Sequence, residues 1–280
     1  MTAAKAEATA TLCLIANDKG AQMRFITGAL LATSLLSPWA HADIFDEIAD
    51  RNELRIAIEA NTPPFNFRDT AGQLSGFEVE LGQMLAKELD VNADFIVVDS
   101  SELLPGVESG KYDVAINQIA TTPELKERLD FSAPYSYTVA QLIVRQEEKR
   151  PLHNLEAFKG HSLGVVQGSS FAAQAQNVEG VDLRSYKDAI QPIKEVADEQ
   201  IDGAVSDRLL IPYAIKESNL PVTEGATVGP VLKLAIPFQK DNPAFKSALD
   251  NALQRMKDDG RLAELSKKWF GVDASEPPKP

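Results

Sequence analysis

KYDVAINQIATTPELKERLDFSAPY, residues 111–135, is the stretch whose reading decides the fold of this 280-residue chain. Its first apolar run, around Val114, Ala115 and Ile116, reads as a short buried strand. Polar residues from Asn117 to Thr122 make a turn, and Pro123 with Glu124 opens a short helix, where proline is tolerated because its missing N–H would be unpaired anyway. LDF then reads as a second strand. Strand, turn, helix and strand in immediate succession is the rhythm of α/β units built on a parallel sheet.

The same rhythm extends in both directions. Upstream, LRIAIEA (54–60) reads as a buried strand ending in the turn NTPPFNF, and FEVELGQMLAKELD (77–90) puts Phe77, Leu81, Met84 and Leu85 on one helical face. DFIVVD is a further strand, after which Ser101 is expected to cap the short helix ELLPGVESG, stopped by Gly110. Downstream, SYTVAQLIVRQ (136–146) leaves the first set of units and EEKRP makes a polar turn. Strand LGVV runs through Gln167, Gly168, Ser169 and Ser170 into a helix. DAIQPIKEVADEQ (188–200) is amphipathic, with Pro192 limiting its first turn. IDGAVSD is a strand, DRLLIPYAIKES a helix, and VLKLAIPFQ (231–239) crosses back. NPAFKSALDNALQRMKDDG and RLAELSKKWFG close the chain as helices, and SEPPKP is expected to be a disordered tail. Tandem α/β segments of this kind predict two lobes joined by crossing strands, with a cleft between them. Lobe one comprises 43–136 plus 237–280, and lobe two 137–236.

Composition narrows the function. With 44% hydrophobic and 25% charged residues the chain is ordinary globular material, but its formal net charge is −13. Nucleic acids and anionic membrane surfaces attract basic faces, so both are excluded as expected partners. MRFITGALLATSLLSPWAHA joins Arg24 to an apolar run and a small-residue end at Ala40, His41 and Ala42, which reads as a secretory signal peptide cleaved after Ala42. Residues 1–42 are therefore leader and signal peptide. The first 22 have no recognisable role and fit a start assigned too far upstream. The single cysteine, Cys13, lies in this leader, and no lipid-attachment cysteine follows the apolar run. The product is expected to be a free periplasmic protein without disulfides. The chain has no phosphate-binding Gly-Lys loop, dinucleotide Gly-rich turn, nucleophile elbow, zinc HExxH or paired CxxC. His153 and His161 read as surface residues. No cofactor, metal or catalytic role is expected.

Residues 111–135 closely resemble a signature of the bacterial extracellular solute-binding proteins, family 3, the periplasmic components that feed amino-acid ABC transporters. NTPPFNF is similar to the family's post-strand Pro-Phe turn, GFEVEL to its helix start, LPGVESGKYD to the short helix before the signature strand, and VVQGSSF to the strand and Gly-Ser turn of its second lobe. IDGAVSD resembles its strand ending in aspartate, and KDDGRLAELSKKWFG its C-terminal helix. These segments occur in the family's order across 54–271. The wording is most like the cystine-binding branch. The resemblance implies a two-lobed α/β periplasmic binding protein of type II, each lobe a sheet flanked by helices and the two joined by two crossing strands.

It also implies a pocket. Glu59, Thr62, Phe65, Ser100, Asn117, Gln118, Ala120, Thr122 and Leu125 fall at ligand-lining positions of the first lobe, and Gly168, Ser169, Ser170 and Asp207 at those of the second. Leu125 departs from the pattern, because the family carries there an arginine that clamps the ligand's α-carboxylate, and leucine makes no such two-pronged bond. Arg128, one turn later, is either a substitute or a solvated helix cation. Gly168 to Ser170 open a helix after a strand, where free N–H groups favour an anionic group, or where serine simply caps. Asp207 is either another cap or, as the resemblance implies, the partner of the ligand's ammonium group. The expected ligand is an amino acid, a cystine-like molecule or a related small amine, delivered by a monomeric protein to an inner-membrane ABC permease. Two rival readings are a ligand-sensing or accessory module for a membrane signalling protein, and an enzyme like the cyclohexadienyl dehydratases on this scaffold.

Overall fold

The computed structural model describes residues 43–167 and 169–278; the leader with Cys13, the expected cleavage site after Ala42, and Gly168 lie outside the described residues. The first part of the chain forms α1 (Ile44–Arg51), β1 (Glu53–Ile58), β2 (Asn61–Thr62), β3 (Asn66–Arg68), β4 (Leu74–Ser75), α2 (Phe77–Glu88), β5 (Asn92–Val97), α3 (Ser100–Glu108), β6 (Val114–Ala115), α4 (Pro123–Arg128), β7 (Leu129–Phe131) and β8 (Ser136–Arg145). β1 buries Leu54, Ile56, Ala57 and Ile58 in an almost unbroken run and pairs in parallel with β5 and β6. Such a run is what a strand covered on both faces requires. α2 lays Phe77, Leu81, Leu85 and Ala86 into the same apolar core, with Met84 at its margin.

Gly76 lets the chain enter α2. Its φ is 123°, a region that residues with a Cβ rarely adopt. Immediately after it, Phe77 N donates to Pro64 O and Glu78 N to Phe65 O, so the first turn of α2 is seated on the turn that follows β2. Beneath that turn Phe65 and Phe77 meet Phe270 at ring distances of 5.3 and 4.7 Å.

Next come β9 (Ser162–Val166), α5 (Ser170–Gln176), β10 (Asp182–Tyr186), α6 (Ile190–Ala197), β11 (Gly203–Asp207), α7 (Ile211–Ser218) and β12 (Val222–Leu234), followed by β13 (Pro237–Gln239), α8 (Pro243–Asp258) and α9 (Arg261–Phe270). The second sheet has the order β10, β9, β11, β8, β12. Its first three strands are parallel, β8 runs against them, and β12, antiparallel to β8, runs with them again. β8 and β12 lie side by side from Ser136 opposite Leu234 to Arg145 opposite Val222. At its far end β12 meets the signature stretch, through a bridge between Ala120 and Leu234 and bonds from Ala235 N to Ile119 O and Ser132 N to Ile236 O. Among the described residues no helix is long and apolar enough to cross a membrane.

Four details differ from the sequence expectation. Ser101 does not cap α3, which begins at Ser100 after Asp99, because the chain turns helical one residue earlier. β10 was not anticipated: its residues Asp182, Arg184 and Ser185 are exposed at a sheet edge, so no apolar alternation marks it. β12 starts nine residues before the Val231 expected from hydropathy, since as the opposite edge it tolerates polar residues and two register shifts. Finally, the tail does not loosen at Ser275. Ala274 and Ser275 are buried, Ala274 N donates to Ser266 Oγ at 2.8 Å, and Ala274 O accepts from Tyr137 N at 2.8 Å.

Candidate functional site

Glu59 and Asn117 stand at the ends of neighbouring parallel strands, β1 and β6, where α/β sheets place their ligands. They bind each other: Asn117 Nδ2 donates to Glu59 Oε2 at 2.7 Å, and Glu59 N to Asn117 Oδ1 at 3.1 Å. Asn66 joins them by donating to Asn117 Oδ1 at 3.0 Å and to Glu78 Oε2 at 2.6 Å. Glu78 Oε1 accepts from Gln118 N at 2.6 Å and from Tyr135 OH at 2.7 Å. Gln118 has φ 53°, so this turn residue is held in a left-handed conformation by the Glu78 bond.

Glu78 is the residue that sequence reasoning passed over. It is 0% exposed and sits in the first turn of α2. Burial pushes its carboxyl up to about 6, against three donors and with Asp207 adding to the rise. The same burial, with Glu78 beside it, raises the Tyr135 phenol well above its usual range. A signal existed, since Glu78, Gly82 and Leu85 share one stripe of α2 and all are buried. Acidic residues in a first helical turn ordinarily complement the helix dipole from solvent, and that is how Glu78 reads in one dimension.

On the second sheet Asp207 ends β11 and is 7% exposed. Its Oδ1 accepts from Thr138 Oγ1 at 2.5 Å and from Leu209 N at 2.8 Å, closing a local turn ahead of α7, whose N-cap is Leu210. Among the described residues no donor is recorded on Oδ2. Burial raises this carboxyl to about 6, opposed by those two donors and by Arg208. Arg208 itself turns away, its guanidinium meeting Tyr137 O at 3.3 Å. Ser169 is the N-cap of α5, with Oγ accepting from Ala172 N at 3.1 Å. The Gly168 part of this anion-binding expectation lies outside the described residues.

The remaining positions divide. Thr122 caps α4 through a 3.2 Å bond from Leu125 N, and Ala120 is tied to Leu234. Leu125 is half-buried against the core that contains Leu103, Val107 and Leu129. Arg128 is exposed and pairs with Glu108 at the end of α3. Thr62 is half-buried with its hydroxyl on Asn61, and Ser100 is exposed at the start of α3. Phe65 belongs to the core at 1% exposure, so it supports the turn from beneath. Among the described residues no cluster of three or more His, Cys, Asp or Glu is placed to hold a metal.

Known proteins resemble this chain in sequence and fold. The model of the bacterial extracellular solute-binding proteins, family 3, matches residues 54–272. The L-cystine-binding protein TcyJ of Escherichia coli strain K12 is 31% identical over 257 residues, covering 91% of this chain and 97% of that protein. An ancestral arginine-binding protein solved with arginine superimposes with a TM-score of 0.69 at 30% identity, over 79% of this chain and 99% of that one. An ancestral amino acid-binding protein described as a precursor of cyclohexadienyl dehydratase gives a TM-score of 0.71 at 28% identity, over 82% and 100%. With two α/β sheets joined through β8 and β12 and a family match from the first core strand to the last helix, the chain belongs to the bacterial extracellular solute-binding proteins, family 3.

Proposed function

We propose that this chain is the periplasmic, ligand-capturing component of an amino-acid ABC transporter, and that it takes an amino acid or related small amine through its charged amino group. The single observation that carries the ligand class is Asp207: a buried carboxylate with one oxygen engaged by neutral donors and its neighbouring arginine turned aside. A charge-assisted bond to an ammonium group would relieve it in a water-poor site. Lobe one is residues 43–136 plus 237–280 and lobe two 137–236. The protein acts as a monomer, is secreted by its leader, and closes by bending at β8 and β12, so that a ligand touching both lobes shifts the population to the closed form presented to an inner-membrane permease.

A thermal-shift screen against amino acids, cystine, betaines, polyamines and small sulfonates tests this reading through binding linkage. The expected result is a selective rise in melting temperature with compounds carrying an amino group or other cation; stabilisation only by anions would refute it. Leu125 supports a further expectation. Leu125→Arg should raise affinity for L-arginine and L-cystine about tenfold, by supplying a carboxylate partner beside Thr122. Titration calorimetry on both forms checks it, and equal affinities would show that Leu125 is not at the carboxylate position.

A further inference from the structure

Two buried carboxylates, Glu78 in the first turn of α2 and Asp207 at the end of β11, grip the same segment at the start of β8. Tyr135, which donates to Glu78, and Thr138, which donates to Asp207, are three residues apart, at most about 10 Å along an extended chain. Every recorded donor to either group is neutral: Tyr135 OH, Asn66 Nδ2 and Gln118 N on one, Thr138 Oγ1 and Leu209 N on the other.

The charged surroundings offer little neutralisation. Facing Glu78 there is Glu59, a third carboxylate reached through Asn66 and Asn117, while Lys268 of α9 is bonded to Glu80 on the outer side of α2. Facing Asp207 there is Arg208, directed at Tyr137 O. Arg145, Glu148, Arg150 and Asp202 at the remote ends of β8 and β11 pair among themselves, and Glu195 of α6 takes the Tyr186 hydroxyl. Like charges held near one another in low dielectric repel.

We propose that Glu78 and Asp207 act as one charge-sensing couple, so that the cleft closes only when a positive charge, carried by an organic cation or failing that a proton, neutralises one of them. Glu78 is then a specificity-determining positioning residue that need not touch the ligand. It imposes the cation requirement through Tyr135, immediately before the crossing strand, and through Gln118 and, by way of Asn66, Asn117 on the cleft floor. The inference rests on the hinge-closure reading above and adds what triggers closure. Both carboxyls lie near 6, which puts the proton-driven event within reach of a mild titration.

Small-angle scattering of the ligand-free protein, purified as cells process it, tests the couple. Between about pH 8 and about pH 5 the radius of gyration should fall, with its midpoint near 6. Asp207→Asn and Glu78→Gln should each be compact already at the alkaline end and lose the pH response. L-arginine at about pH 8 should compact the wild type while neutral glycerol does not. If L-arginine compacts the protein but acid does not, or if the amide variants titrate as the wild type does, the couple is overturned while hinge closure stands. If neither acid nor L-arginine changes the radius, hinge closure itself is overturned. The wild-type curve alone decides the matter should a variant fail to fold.

Discussion

Gly76→Ala should cost about 4 kcal/mol or more, lowering the urea midpoint so far that the variant is largely unfolded at ordinary temperature. Two independent penalties meet at this position. A residue with a Cβ resists the backbone angle of 123°, and the added carbon would stand 2.2 Å from Phe65 O, a backbone atom that cannot rotate aside. Relief would require the turn at Phe65 to move, and that turn receives Glu78 N and packs on Phe270. Gly72→Ala is the matched control. Its φ is 78°, but nothing lies within 4 Å of the would-be Cβ, so only the backbone penalty of about 1 kcal/mol remains. Equal losses at the two sites would mean that the contact with Phe65 is not what fixes Gly76.

Asp207→Ala should weaken binding of a cationic ligand by about 2–5 kcal/mol, roughly 30-fold to several thousand-fold in Kd. Alanine removes both the charge and the acceptor for Leu209 N. Asp207→Asn separates them, because the amide oxygen still accepts from Thr138 and Leu209; it should lose most of the affinity yet keep the fold. Its ligand-free stability follows from linkage. The folded carboxyl titrates near 6 and the unfolded one near 3.8, so between these values the native state holds a proton that the unfolded state has released. This group's contribution therefore falls as pH rises through that window, by on the order of 3 kcal/mol, and stays low above it. Asp207→Asn should accordingly be more stable than the wild type at neutral pH, with the gain vanishing towards pH 4. Denaturant melts of both proteins across that range check the sign; a gain that grows in acid would show that the wild-type carboxylate is paired in the native state.

Why these groups were partly hidden in the sequence is a matter of dimension. β1, α2 and the run from Val114 to Phe131 were legible because their apolar residues mark the buried positions along the chain itself, and each reports its own surroundings. Asp207 was legible as a strand-end carboxylate with two open roles. Glu78 was not, because its burial depends on Asn66, Gln118 and Tyr135, which are 12, 40 and 57 positions away. No local pattern carries such a closure. Phe65 erred the other way: its neighbours Pro64 and Asn66 place the chain at the cleft, while its own ring turns into the core. Arg128 likewise could not be assigned until Glu108, on another helix, was seen to hold it.

The bond from Tyr137 N to Ala274 O gives the end of the chain a practical significance. Tyr137 is the second residue of the crossing strand, and Ala274 stands six residues from the last, Pro280. A purification tag or fluorescent reporter that follows Ala274 closely would be tethered beside the start of β8, one of the strands proposed to bend, where its drag and its linker charges act with short leverage on the proposed opening motion. Labels intended to leave the opening motion undisturbed belong on the outer helices instead. A reporter intended to sense it gains most from the C-terminus.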